Sequence, residues 1–209
     1  MPEKKATKKP KDKWKLKSWY KVIAPAMFDN ATLGETLANT PEKLKGRVLE
    51  TTAQDLTGDV TKGYFKLYFQ INEVRGSEAF TRFIGHELSN DYVRRLIRRR
   101  KAKLDIVCDV LTGDNCKLRI KPLAIAEREL QSSQELAIKN IMQKVIEENA
   151  KAKTFSELIK AIISGELTTK LFNSCKSIYP LRRIEIRKSE VEGVFAAEAP
   201  PKEEKAIES

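Results

Sequence analysis

The apolar positions repeat with a period of two in the first half of the chain and near 3.6 in the second, and that switch sets the expected architecture. In YFKLYFQINEV, Phe65, Leu67, Phe69 and Ile71 fall on one face over four steps, a strong strand signal. Arg47 to Thr52 follows Gly46 and is rich in β-forming residues, Gly58-Asp59 marks a turn, and another strand is expected from about Ala79 to Gly85. Leu104 to Leu111 and Cys116 to Ile125 form the next pair of strands, joined by TGDN. Ser132 and Glu135 then make a capping box ahead of Ile138, Ile141, Met142, Val145 and Ile146, a helical stripe. Thr154 and Glu157 cap a second helix that carries Leu158, Ile159, Ile162 and Ile163 and ends near Gly165, and a shorter helix runs from Glu166 to Lys176. Pro180 breaks the pattern, and LRRIEIRK reads as a final strand with Ile184 and Ile186 inward and Arg183, Glu185 and Arg187 outward. Strands first, helices afterwards and a strand last imply an α+β fold, most simply an antiparallel sheet or barrel-like core with flanking helices.

Composition adds the ends. Residues 1 to 21 hold nine lysines against two acids, with Pro2 and Pro10 and little apolar material before Trp14. Such a segment cannot offset the entropy of ordering by burial, so residues 1–18 are expected to be a disordered basic arm. Residues 19–194 are expected to be a single domain, strand-rich over 19–126, helical over 130–176, with the final strand at 181–188. From Ala196 the sequence turns acidic and proline-bearing, so 195–209 reads as a disordered tail. Trp14, Trp19 and Tyr20 lie among Lys13, Lys15, Lys17 and Lys21, which suits either stacking on bases or packing onto the domain. Packing is expected for Trp19 and Tyr20, which lead into the apolar run from Val22 to Met27.

Charge narrows the partner. The chain has 209 residues, a formal net charge of +11 and a hydrophobic content of 41%, so it is a globular protein with a basic surface. The most concentrated charge is YVRRLIRRRKAK, from Tyr92 to Lys103. Ser89 can cap a helix here, Asn90 and Asp91 suit its first turn, and Val93, Leu96 and Ile97, with Arg100 next in the series, keep the spacing of one buried stripe. Arg94, Arg98 and Lys101 then run along one flank and Arg95 and Arg99 along the other, with no acid between Tyr92 and Lys103 to relieve them. Like charges at that spacing repel by a few tenths of a kcal/mol per pair, so the helix tolerates them only if an external anion compensates or the cost is accepted, as on a merely solvated basic face. Five arginines favour phosphate, which guanidinium grips bidentately. A third basic place holds Arg182, Arg183, Arg187 and Lys188. Nucleic acid is the economical common partner of all three. An anionic membrane competes poorly, because the helix is poor in Trp and Phe and its apolar stripe is needed by the core.

Other chemistry fares worse. Three cysteines without CxxC spacing, Cys108, Cys116 and Cys175, argue against a disulfide framework and a zinc site. The single histidine, His86, sits in FIGHEL and is expected to have a structural or hydrogen-bonding role. Asp105 and Asp109 would share one face of a strand and could hold a metal in a nuclease. Lys117, Arg119 and Lys121 share a face of the following strand, however, and opposite charges across a ladder are ordinary sheet stabilisation. No glycine-rich phosphate loop, nucleophile–base pair or cofactor motif is present. No RNP motif, GXXG loop or zinc finger specifies a readout either, and the residues alone imply a binder of nucleic-acid backbone. There is no secretory or transit signal and no apolar run approaching ~20 residues, which makes the cytoplasm the expected compartment.

Several stretches together resemble one family: WYKVIAPAMF (19–28), LGETLA (33–38), GRVLETTAQDLTGD (46–59), FIGHELSNDYVRRLIRRR (83–100) and SIYPLRRIEIRK (177–188). They are similar to the S-three-A-e small-subunit ribosomal proteins of archaea and eukaryotes, over about residues 14 to 190. The arginine triplet and the short C-terminus look like the archaeal members. The resemblance implies a β-barrel-like core with flanking helices, on the platform of the small subunit near the messenger exit and the 3′ end of the ribosomal RNA. It implies a structural and not a catalytic role, without cofactors. Small-subunit ribosomal RNA, neighbouring platform proteins and messenger RNA near the exit would be the partners. The expected RNA contacts are Lys13, Lys15, Lys17, Lys21, Arg94, Arg95, Arg98, Arg99, Arg100, Lys101, Lys103, Arg182, Arg183, Arg187 and Lys188. They would recognise backbone shape, because the A-form major groove is too narrow to read. A non-ribosomal RNA-binding protein or a metal-dependent RNA-acting enzyme is the alternative.

Overall fold

A computed structural model of the protein describes residues 14, 17–97 and 101–192. Of the expected arm over 1–18, residues 1–13, 15 and 16 lie outside these residues, while Ser18 already belongs to the first strand; the expected tail over 195–209 lies outside them entirely. The fold is α+β, and the chain divides into two compact units, one up to Ile84 and the other from Gly85.

In the first unit, strand β1 (Ser18–Ile23) turns back antiparallel into β2 (Thr32–Ala38). The turn contains a short 3-10 segment, Ala26–Phe28, and then Asp29 and Asn30 at φ 56° and 51°. Short polar side chains tolerate that left-handed backbone, which explains Asp-Asn at this point. β3 (Val48–Thr52) pairs antiparallel with β4 (Phe65–Arg75), placing Leu49 opposite Phe69. Between them Thr52 and Asp55 form a capping box that starts the one-turn helix α1 (Ala53–Thr57), which ends on Gly58 at φ 71°. β5 (Glu78–Leu88) follows β4 through Gly76 and is longer than its sequence pattern implies. Its start lies parallel to β1, with Lys21 opposite Glu78, so the pairing is mixed and not purely antiparallel. The alternation in β4 is as expected: Phe65, Leu67, Phe69 and Ile71 are buried. Phe69 packs edge-on against Phe28 at 5.4 Å and Phe83 at 5.7 Å between ring centroids.

In the second unit, β8 (Lys117–Ala126) is the central strand. On one side it runs antiparallel to β9 (Leu181–Val191) from Leu118–Val191 to Ala126–Leu181. On the other it meets two short strands, β6 (Lys103–Asp105) and β7 (Cys108–Leu111), where the sequence pattern implies one. The break has a cause in Pro122. β7 covers Lys117 to Ile120 and β6 covers Leu123 to Ile125, so Lys121 and Pro122 fall between the two. Pro122 has no N–H to donate, and its carbonyl accepts from the Ile106 N–H at 3.2 Å at the joint. The register against β9 shifts at the same step. Residues 85–87 of β5 pair antiparallel with β9, with His86 opposite Ser189.

Three helices supply the apolar cover. α3 (Ser132–Ala152) buries Ile138, Met142, Ile146 and Ala150, and it packs against β7 and against α5 (Glu166–Cys175), which lies on β9. Its N-cap is Gln131, not Ser132: the Glu135 N–H already bonds the Gln131 carbonyl at 3.0 Å, which leaves Ser132 inside the helix. α4 (Phe155–Ser164) has the expected Thr154–Glu157 capping box and ends on Gly165. The TGDN turn supports it, since an Asp114 carboxylate oxygen accepts the Phe155 N–H at 2.9 Å. No helix among the described residues is long and apolar enough to cross a membrane.

Candidate nucleic-acid interface

The basic helix is shorter than its sequence implies. α2 runs from Asn90 to Leu96, with the Ser89 hydroxyl accepting from the Tyr92 N–H at 3.4 Å, and Ile97 leaves it at φ −86° and ψ 108°. Two effects oppose a longer helix. Arg94 with Arg98, and Arg95 with Arg99, would be stacked like charges. Residues 103–105 instead find hydrogen bonds as β6, and just before it the Ala126 N–H donates to the Ala102 carbonyl at 3.0 Å. Lys101 and Lys103 therefore sit on an extended segment, and Arg98, Arg99 and Arg100 lie outside the described residues. Arg94 and Arg95 occupy the last turn, where cations suit the helix macrodipole, and both are exposed.

α2 is held on β9 by three side chains. The Tyr92 hydroxyl donates to Glu185 Oε1 at 3.1 Å, Arg183 Nε donates to the same oxygen at 2.7 Å, and the Arg183 guanidinium lies 5.7 Å from the Tyr92 ring centroid. Glu185 is only 6% exposed, so it does not face outward as expected: α2 covers it, and the carboxylate is satisfied by two donors. Two basic stretches far apart in sequence are thereby joined. The strand register adds the third piece, because Ile125 of β8 has Lys103 as its partner on one side and Arg183 on the other. Arg94, Arg95, Lys101, Lys103, Arg182 and Arg183 thus gather at one end of this unit.

The cations of this unit divide into two groups. Arg94, Lys101, Arg182 and Arg187 have no carboxylate within salt-bridge distance among the described residues, and Arg95 donates only to the Asp91 carbonyl, at 3.3 Å. Lys188, expected at the interface, is instead taken up by Glu190 at 2.6 Å and Glu87 at 3.6 Å, and the Glu190 hydrogen bond holds its pKa above the ordinary lysine range. It is part of a ladder. Lys121 also reaches Glu190 (2.9 Å), Lys117 reaches Glu192 (3.3 Å), and Arg119 grips Asp109 through two bonds of 2.7 and 2.8 Å while also pairing with Glu192. Those donors hold the Asp109 and Glu190 carboxyls below their usual range, with the Arg119 and Lys188 hydrogen bonds as the leading causes. The sequence carried a signal for this: Lys188, Glu190 and Glu192 alternate opposite Lys117, Arg119 and Lys121 once the last strand is extended past Lys188.

The carboxylate pair does not assemble as a nuclease site needs. Asp105 is on β6 and bonded to Lys103, and Asp109 is on β7 and bonded to Arg119. Among the described residues no three metal-ligating side chains converge. Burial pushes the Cys108 and Cys175 thiols up to about 11, away from nucleophilic use. His86 is 1% exposed, with Nε2 3.1 Å from the Ile186 carbonyl and Nδ1 against the Ser189 hydroxyl, a structural hydrogen-bonding position within β5. In the first unit, Lys17 Nζ lies 4.6 Å over the Trp14 ring, and Lys21 projects from β1. Tyr20 is buried as expected, but Trp19 is 61% exposed, because the alternation of β1 turns Tyr20 and Val22 inward and leaves Trp19 outward. Lys13 and Lys15 lie outside the described residues.

Comparison with known proteins matches residues 5–194 to the family model described as the Ribosomal S3Ae family. Similar curated relatives are named small ribosomal subunit protein eS1. That of Methanopyrus kandleri is 46% identical over 185 residues, covering 87% of this chain and 88% of the relative. That of Desulfurococcus amylolyticus is 43% identical over 190 residues (91% and 89%), and that of Staphylothermus marinus 42% over 190 (91% and 90%). With a family model spanning nearly the whole length and relatives this similar end to end, the chain belongs to the ribosomal S3Ae family.

Proposed function

We propose that this chain is a structural constituent of the small ribosomal subunit, working in the cytoplasm, that binds ribosomal RNA at the platform near the messenger exit. Neighbouring platform proteins, and messenger RNA as it leaves, would be its other partners. The role is architectural and not catalytic. The observation that carries the RNA contact is the division of the cations: in one unit Lys117, Arg119, Lys121 and Lys188 on the strands are neutralised by carboxylates, while Arg94, Arg95, Lys101 and Arg182 at the α2 end have none among the described residues. Unneutralised cations clustered at one end of a fold suit a phosphate backbone.

The test combines assembly and salt dependence. On a sucrose gradient of native extract the protein should comigrate with the small subunit at moderate salt, and recovery only near the top would refute the ribosomal reading. In vitro, Arg94→Ala with Arg95→Ala and Arg182→Ala should weaken RNA binding and reduce the salt slope by about 0.7 to 0.9 per lost phosphate contact. Lys188→Ala, which removes a ladder cation, should leave that slope unchanged.

A further inference from the structure

We propose that the exposed face of β1 around Trp19 is a stacking platform for an unpaired RNA nucleotide, separate from the phosphate-binding end built on α2 and β9. This rests on the reading of the chain as an RNA binder and adds to it a second contact of a different kind.

Trp19 is the anomaly that points there. An indole 61% exposed on a regular strand gives the fold little burial, and its cross-strand partner, Leu37, is half-buried beneath it. β5 lies beside β1 only from Lys21 onward, so Trp19 has a strand neighbour on one side and an open flank on the other. The surroundings are cationic. Along the chain the residues two before and two after Trp19 are Lys17 and Lys21, both exposed. Lys17 lies two residues before Trp19 and holds its ammonium 4.6 Å from the Trp14 ring, which is itself 64% exposed. Lys21 has Glu35 and Glu78 as its partners on the two neighbouring strands, so the positive side of the platform lies toward Lys17.

An exposed aromatic ring flanked by cations is what single-stranded nucleic acid uses: a base stacks on the ring and the adjoining phosphate meets the cation. A protein partner would set a central Trp in an interface core depleted of charge, whereas the residues beside Trp19 on this face include Lys17, Lys21 and Glu35. An A-form duplex offers the same phosphates but keeps its base faces stacked, so it cannot use the indole. The platform should therefore discriminate strandedness, while the α2–β9 end does not.

The test uses the full chain, with tryptophan fluorescence and binding measured against a single-stranded oligouridylate and an RNA duplex of equal length. The single strand should quench the fluorescence more strongly than the duplex, and Trp19→Ala should weaken single-strand binding about 5-fold or more while leaving duplex binding and the salt slope unchanged. Lys17→Ala should weaken single-strand binding while preserving the quenching of what is bound. Duplex and single strand binding alike, with Trp19→Ala changing neither, would overturn the platform and leave the proposed function standing. A blue shift with anionic vesicles, without quenching by RNA, would overturn it in favour of a membrane. Failure to bind RNA of either kind would overturn both readings.

Discussion

Acidification should destabilise this protein at one identifiable side chain, the imidazole of His86. The Ile186 carbonyl, 3.1 Å from Nε2, can only accept, so Nε2 carries the proton in the neutral ring and Nδ1 accepts from the Ser189 hydroxyl. Charging the ring would place a cation where 1% of the residue meets water. Burial accordingly lowers the pKa from 6.5 to about 4, against the Ile186 hydrogen bond, which favours the protonated form. Between those two values the unfolded chain binds more protons than the folded one. The stabilisation is therefore complete above pH 6.5 and is lost as the pH falls, by about 1.4 kcal/mol at pH 5.5 and about 3 kcal/mol at pH 4, where the loss levels off. Chemical denaturation at pH 7, 5.5 and 4 measures it, with His86→Gln as the non-titrating control whose profile should be flatter by those amounts. Asp109 and Glu190 are also held below their ordinary values, but they are lost at lower pH and equally in both proteins. Because the chain has a single histidine, its ring resonances can also be followed directly by NMR in the unsubstituted protein. A native-state midpoint near 6.5, or identical pH profiles for the two proteins, would refute the reasoning.

Gly85→Ala tests the strand crossing beside that histidine. A Cβ at Gly85 would lie 2.1 Å from the Ser189 carbonyl oxygen, so the backbones must part, and we expect a loss of about 3 kcal/mol or more in denaturant unfolding, with a shifted His86 resonance. Asp114→Ala removes the side-chain acceptor for the Phe155 N–H and should cost about 1 kcal/mol in the same assay, most of it recovered by Asp114→Asn.

Legibility from sequence followed the strength of local signals. β4, α4 and α5 were plain because their periodicities are unbroken, and α4 carries a standard capping box as well. β1 and β2 gave no clear strand signal. In TLGETLA only Ala38 is fully buried, so the pattern lacks alternation. α1 was hidden by its length: its capping box is present in Thr52 and Asp55, but five residues cannot establish a period. The longest error concerned the arginine run. Locally it reads as helix to Lys103, and what ends it at Leu96 is the pairing of residues 103–105 with β8, a long-range competitor that no local rule contains. The site was legible to the same extent. Composition could locate three basic stretches, but whether a given cation faces solvent or a carboxylate depends on strand register, which is why Arg182 and Lys188, six residues apart, have different surroundings.

That dependence on register bears on where the charge acts. The nine lysines of the first 21 residues exceed their acids by seven, and residues 94–103 carry seven bases and no acid. Together these two stretches exceed the net +11 of the chain by three, so the remainder is net −3. The ladder of β5, β7, β8 and β9 shows how that balance is arranged on one surface: Lys117, Arg119, Lys121 and Lys188 face Glu87, Asp109, Glu190 and Glu192, four against four. Each exposed pair contributes little to stability, about 0 to 1 kcal/mol. Their consequence is spatial: on the proposed function, a neutralised sheet surface would not compete for phosphate, and an RNA strand would be directed to Arg94, Arg95, Lys101 and Arg182 at the α2 end instead of sliding over the ladder.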